Sequence, residues 1–237
     1  SRDYGEIAER FRPGHADLAG TLKYDRADAR DIIERASARE PVARVAAGAL
    51  ARRLLDEFGV EVGSHVVSLG GVTVPRPDPL PSPLNTAADR SSVRVLDAAA
   101  ESEIVGRIDP AKRAGDTLGG EVEVVARGVV LGLGSHVHWD RKLDGRLAGM
   151  LMSIPAVKGV EIGLGFEAAR RPGSAVHDPI AADRSRDGSG GVQRRSNNAG
   201  GLEGGRTTGE SRVGRGAMKQ ISTLMTPLQT VDIGSGH

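Results

Sequence analysis

Residues 116–126 read DTLGGEVEVVA. The paired glycines at 119 and 120 reverse the chain, and EVEVVA then alternates polar with apolar side chains, the pattern of a strand with one wet face. Immediately upstream, 97–113 has the spacing of a helix, which Pro110 is expected to kink or end early. Five prolines between 75 and 83 can form only a loop, and 60–69 ahead of them reads as a strand. Further out, Ser37 and Glu40 form an S-x-x-E capping box. Val42, Val45, Ala46, Ala49, Leu50 and Leu54 follow at helical spacing until Gly59 supplies a stop, with Pro41 in the tolerant first turn. Residues 1–27 read as loop around a Pro13-Gly14 turn. Downstream, 143–152 is a short amphipathic helix and 160–163 a strand, whereas 165–216 is so rich in Gly, Arg, Ser and Asn that composition predicts a mobile segment, ordered only by a ligand or partner chain. Helices and hairpin-like strands are thus mixed along one chain.

Composition narrows the chemistry. The chain has 237 residues, enough for a substantial core, and 32 Lys plus Arg against 31 Asp plus Glu, so any anion site must be a local cluster. No cysteine is present, which excludes disulfides, thiolate metal sites and a cysteine nucleophile. Aromatic residues are only 3%, so the core must be aliphatic, and the arginine- and glycine-rich stretch 185–216 lacks the aromatics that would stack on bases. No apolar run nears the ~20 residues of a membrane span, and the polar start resembles no signal peptide. A soluble cytoplasmic protein without nucleic-acid or membrane partners is expected.

The segment RPGHAD, 12–17, gathers Arg12, His15 and Asp17, with Arg35, Arg39 and Arg44 close behind. Histidine exchanges protons near neutral pH and arginine forks match phosphates, so together they describe an acid beside an anion site. Spacing alone favours the plainer reading of a surface histidine in a turn and a solvated charge run. Arg35, Ala36 and Ser37 are expected at a helix N-terminus, where free N–H groups favour an anion. The run NNAGGLEGG, 197–205, has no preceding strand and no GK[ST], so by itself it reads as a linker. In KQIST, 219–223, a cation and two hydroxyls could bind phosphate. His136 and His138 lack a third ligand at a metal-site spacing, so no metal is expected.

Read in order, RPGHADLAGTLKY, DARDIIERASARE, ARVAAGA, AGDTLGGEVEV, LGLGS, LDGRLAGMLMSI, AVKGVEIGLGF, AGGLEGG and AMKQISTL resemble the blocks of the chorismate synthase family, in that family's order. The resemblance runs over nearly the whole chain, as a single domain over 1–237, and thins in the proline-rich loop and around 180–195. It implies a β-α-β sandwich with helices between antiparallel sheets, assembled as a homotetramer. It also implies a carbon-oxygen lyase that removes phosphate from 5-enolpyruvylshikimate 3-phosphate by anti-1,4 elimination, using reduced FMN (with NADPH as reductant) without net redox change.

On this resemblance His15 matches the acid for the leaving phosphate, and Arg12 and Arg39 match substrate-binding arginines. Arg35, Ala36, Ser37, Pro155, Ala156, Gly204, Lys219, Gln220, Ile221, Ser222 and Thr223 match FMN contacts, which makes 165–216 a flavin-loop region rather than a linker. The family pattern has threonine, a polar residue and proline where this chain has Pro41, Pro155 and Gln220, and Thr208 replaces a frequent asparagine. Pro155 removes a side-chain polar group and a backbone donor together. The family's GESHG-like opening and its closing RSD or RHD motif are not in these residues, so the chain is expected to lack both terminal segments and turnover on its own. A second reading of the same residues is a non-catalytic flavin- or phosphate-binding relative or subunit partner.

Overall fold

The computed structural model of the chain describes residues 11–36, 39–185, 191–226 and 228–231. In chain order the elements are α1 (Asp17–Tyr24), α2 (Arg30–Ala36), α3 (Arg39–Glu57), β1 (Glu61–Leu69), β2 (Val72–Thr73), α4 (Leu84–Ala88), α5 (Ala98–Arg113) and β3 (Gly120–Arg127). They continue with α6 (Leu143–Met152), β4 (Val157–Ile162), β5 (Ile180–Ala182), β6 (Val192–Arg194), β7 (Leu202–Glu203), β8 (Arg206–Thr207) and β9 (Arg212–Met218).

The EVEVVA strand is the middle of the molecule. β3 is the central strand of a five-stranded antiparallel sheet in the order β2-β1-β3-β9-β4. The expected mixture of helices with antiparallel strands is therefore found. Alternation along β3 gives the sheet two faces. Val124 and Ala126, with Val62 of β1 and Ile162 of β4, look toward Leu143, Leu147 and Leu151 of α6 across an apolar cavity of about 360 Å³. Glu123 faces the other way, directly opposite His65 of β1 and Arg215 of β9. Near the β1–β2 turn, Ala100 and Ile104 of α5 bury themselves with Val72, Val74 and Val95. Much of the apolar side of α3 behaves otherwise, since Val42, Val45, Leu50 and Leu54 stand exposed, as does Phe58 just beyond the helix.

Three sequence expectations need correction, and a fourth falls outside the described residues. Residues 17–24, read as loop, form α1, because Gly20 lets α2 come so close that a Cβ there would lie 2.4 Å from Ile32 Cγ2. The capping residue Ser37 lies outside the described residues; α3 itself begins at Arg39. Pro110 does not stop α5 early, because it falls in the last turn, where the Pro110 carbonyl still accepts from Ala114 N at 2.9 Å. The largest correction concerns 165–216. Its described residues carry two antiparallel strand pairs, β5 with β6 and β7 with β8, and most of β9, which inserts between β3 and β4.

The order of that segment has a local cause. Asp178 accepts hydrogen bonds from Ser196 Oγ at 2.5 Å, Asn198 N at 2.8 Å and Ala199 N at 2.9 Å, pinning the turn at both ends. Gly163 and Gly200 then meet backbone to backbone, each with positive φ, so close that a Cβ on Gly163 would lie 2.2 Å from Asn198 O. A composition read as freedom is here a close approach that only glycine permits.

Candidate active site

The RPGHAD loop enters α1 through Asp17, the helix's first residue, whose side chain is wholly buried. An acid in the first turn suits the helix dipole, but its partners lie in the loop. Arg12 donates from its backbone N at 3.2 Å and from Nε at 2.9 Å to Asp17 Oδ2, and from Nη2 to Oδ1 at 3.3 Å. His15 Nδ1 sits in short contact with the same Oδ1. Burial pushes the Asp17 carboxyl up, but the side-chain and backbone hydrogen bonds from Arg12, with the charges of Arg12 and His15, outweigh it and hold the group below its ordinary value.

The second half of the site comes from the other end of the chain. Lys219 to Thr223 follow β9, and three contacts fix their path: Lys219 N donates to Ala156 O at 2.9 Å, Thr117 Oγ1 to Ile221 O at 3.0 Å, and Met225 N to Gly115 O at 3.1 Å. This loop docks on the RPGHAD loop. Arg12 Nη1 donates to Thr223 Oγ1 at 2.9 Å, Ser222 Oγ to Gly14 O at 3.1 Å, and Lys219 Nζ to Ser222 Oγ at 2.7 Å. One imidazole, one guanidinium, one ammonium and two hydroxyls therefore share a small surface, with Arg12 and His15 side chains 29% and 17% exposed and so reachable by a ligand. Such a set suits a phosphate.

The remaining residues divide. Ala156 joins the cluster through Lys219 and has φ 71, a left-handed conformation unusual for a residue with a Cβ. Pro155 precedes it after α6, where Ser153 Oγ accepts from Arg44 Nη1 of α3 at 2.8 Å. Arg35 and Ala36 close the C-terminal end of α2 rather than open a helix, because α2 stops there, so the dipole argument does not apply to them. Instead they line an open depression with Lys23, Tyr24 and Arg26. Arg39 opens α3 and Ser37 lies outside the described residues. Gly204 sits at the turn between β7 and β8, which is tied to α6 through Leu143 N and Gly205 O at 2.9 Å; no described hydrogen bond links it to Arg12 or His15.

Sequence reasoning passed over two features. Asp17 was legible only as a member of RPGHAD, with nothing to show that it holds both neighbours. The pairing of His65 with Glu123 was not legible, although a Glu in the middle of a strand that runs to VVA was a signal.

The family model for chorismate synthase matches residues 1–237. The chain belongs to the chorismate synthase family. It is 52% identical over 234 residues to chorismate synthase 2 of Bacillus cereus, covering 98% of this chain and 59% of that protein. Chorismate synthase of Geobacter sulfurreducens is 54% identical over 235 residues, covering 98% and 60%. A crystal structure of chorismate synthase superposes with a TM-score of 0.80 at 47% identity, over 86% of this chain and 63% of that one. The chain thus spans about three-fifths of the length of the curated chorismate synthases it matches. Among the described residues no helix is long and apolar enough to cross a membrane.

Proposed function

We propose that this chain supplies the phosphate side of a chorismate synthase active site, acting on 5-enolpyruvylshikimate 3-phosphate to give chorismate. The observation that carries this reading is the meeting of the RPGHAD and KQIST loops, which sets His15 beside Arg12, Thr223, Ser222 and Lys219. Departure of phosphate builds negative charge on the bridging oxygen, and a proton together with fixed positive charge lowers that barrier. In its imidazolium form His15 gives the Nε2 proton to the leaving oxygen, while Arg12, held in place by Asp17, faces the departing anion. Arg39 is the proposed second arginine for the substrate.

The residues present fit an FMN. Lys219 and Arg35 supply cations, and Ser222 and Thr223 supply hydroxyls. The turn at Gly204 has φ 56 and no atom within 4 Å of where a Cβ would be, leaving a surface open to close approach. Ala36, Ser37, Ala156, Gln220 and Ile221 would complete the contacts, while Pro155 offers neither an N–H nor a polar side chain. Reduced FMN, when bound, supplies the reduced flavin that the family's elimination requires although no net redox change occurs. NADPH as reductant, a homotetramer and a cytoplasmic setting belong to the same reading.

The test is turnover. The chain, joined to the remaining segments of the Bacillus cereus relative and given reduced FMN anaerobically, should release phosphate and form chorismate, and His15→Ala should slow this by about 100-fold or more. No product from the joined protein would contradict the proposal.

A further inference from the structure

Asp17 is the one ionisable group of the site with a fully buried side chain, and the two phosphate-side groups both lean on it. Its two oxygens are used differently. Oδ2 takes the Arg12 backbone N and Nε, while Oδ1 meets His15 Nδ1 and, at longer range, Arg12 Nη2. The His15 ring also lies near Arg12 Nη2, at 3.2 Å from Nδ1 and 3.4 Å from Nε2.

Chemistry decides between the two ways of placing the ring proton. An ionised carboxylate only accepts and a guanidinium only donates. Were Nδ1 bare, its lone pair would point at the carboxylate oxygen and the shortest contact in the site would be repulsive. With the proton on Nδ1, that contact becomes a charge-assisted hydrogen bond, and Nε2, the ring nitrogen farther from Arg12 Nη2, is left for the open side of the site.

We infer that Asp17 is a positioning residue that fixes His15 as the Nδ1–H tautomer and aims Nε2 at the ligand, while the same carboxylate orients Arg12. The partner hydrogen bond on one ring nitrogen sets what the other can do. Asp17 itself touches no ligand. Its effect on turnover passes mainly through His15, and in that respect the inference rests on the proposed function; the tautomer does not depend on it.

The experiment reads both. Long-range ¹⁵N–¹H spectra of the full chain at about pH 9, where an ordinary imidazole is neutral, are assigned with His15→Gln. The expected spectrum shows a pyrrole-type Nδ1 and a pyridine-type Nε2 for His15; the opposite tautomer, or an even mixture, overturns the inference. This is read on the unsubstituted chain, so it decides even where Asp17→Asn fails to fold. Where Asp17→Asn folds, its His15 ring should lose the single tautomer. In the turnover assay kcat should fall by about tenfold or more with KM changed by less than about threefold, as for an orienting carboxylate beside a histidine. In a His15→Gln background Asp17→Asn should add only the smaller loss that comes through Arg12; an equal loss in both backgrounds overturns the inference. Absence of turnover in the unsubstituted protein defeats the proposed function and leaves the tautomer result to stand by itself.

Discussion

Glu123 is fully buried in the sheet, yet it stays charged. It accepts from His65 Nε2 at 3.2 Å, Arg76 Nε at 2.8 Å and Arg215 Nε at 3.0 Å, three elements meeting on one carboxylate. Burial pushes its carboxyl up, but the hydrogen bonds from His65, Arg76 and Arg215, with the Arg76 charge, outweigh it and bring the group from 4.5 to about 2. A carboxyl lowered on folding stabilises the fold fully above its unfolded value, and that contribution drains away as pH falls from about 4.5 through about 2. Glu123→Gln should therefore cost on the order of 3 kcal/mol in urea unfolding at pH 7, and the gap should close near pH 2. An unchanged midpoint at pH 7 would contradict this. The cross-strand row was invisible in the sequence, because His65 and Glu123 are 58 positions apart and only the strand register makes them neighbours. Pro155→Asn, which returns a donor and a polar side chain, should tighten FMN binding about fivefold in a fluorescence titration, the worth of one ordinary hydrogen bond.

At the scale of elements, what was legible followed periodicity. α6 has the predicted bounds, and β1, β3 and α5 fall within a residue of theirs, because each carries a run of apolar residues at one spacing bounded by Gly, Pro or a cap. The segment 165–216 defeated composition for the opposite reason, since its order comes from one carboxylate, from glycine backbones in contact and from a few scattered buried side chains such as Leu202, Thr207 and Val213, which show no period. That account predicts a sharp local penalty. Gly163→Ala, which places a Cβ against Asn198 O in a left-handed conformation, should cost about 2 kcal/mol or more in thermal unfolding and loosen protection of the Asn198 and Ala199 amides in hydrogen exchange. Exchange indistinguishable from the unsubstituted chain would show that the turn is held by something else. Of the site, Arg12, His15, Ser222, Thr223 and Lys219 were legible through motif resemblance, but their meeting was not. It depends on β9 delivering residue 219 beside Ala156, a placement fixed by sheet order.

For the whole molecule, the fold brings two loops some two hundred residues apart into one phosphate-suited surface on a chain that spans about three-fifths of its matched relatives. The structure ties the RPGHAD loop to the KQIST loop by direct hydrogen bonds, whereas Arg35 and Gly204 stand on separate elements. A bound flavin is what would unite them. The central claim is that these loops hold the substrate's phosphate next to His15. A crystal structure of the protein, joined to its relative's remaining segments and loaded with substrate and oxidised FMN to prevent turnover, measures this directly. The account predicts a substrate phosphate oxygen within about 3 Å of both His15 Nε2 and the Arg12 guanidinium, with the flavin against Ala156 and residues 219–223. A substrate phosphate seated away from His15 would contradict it.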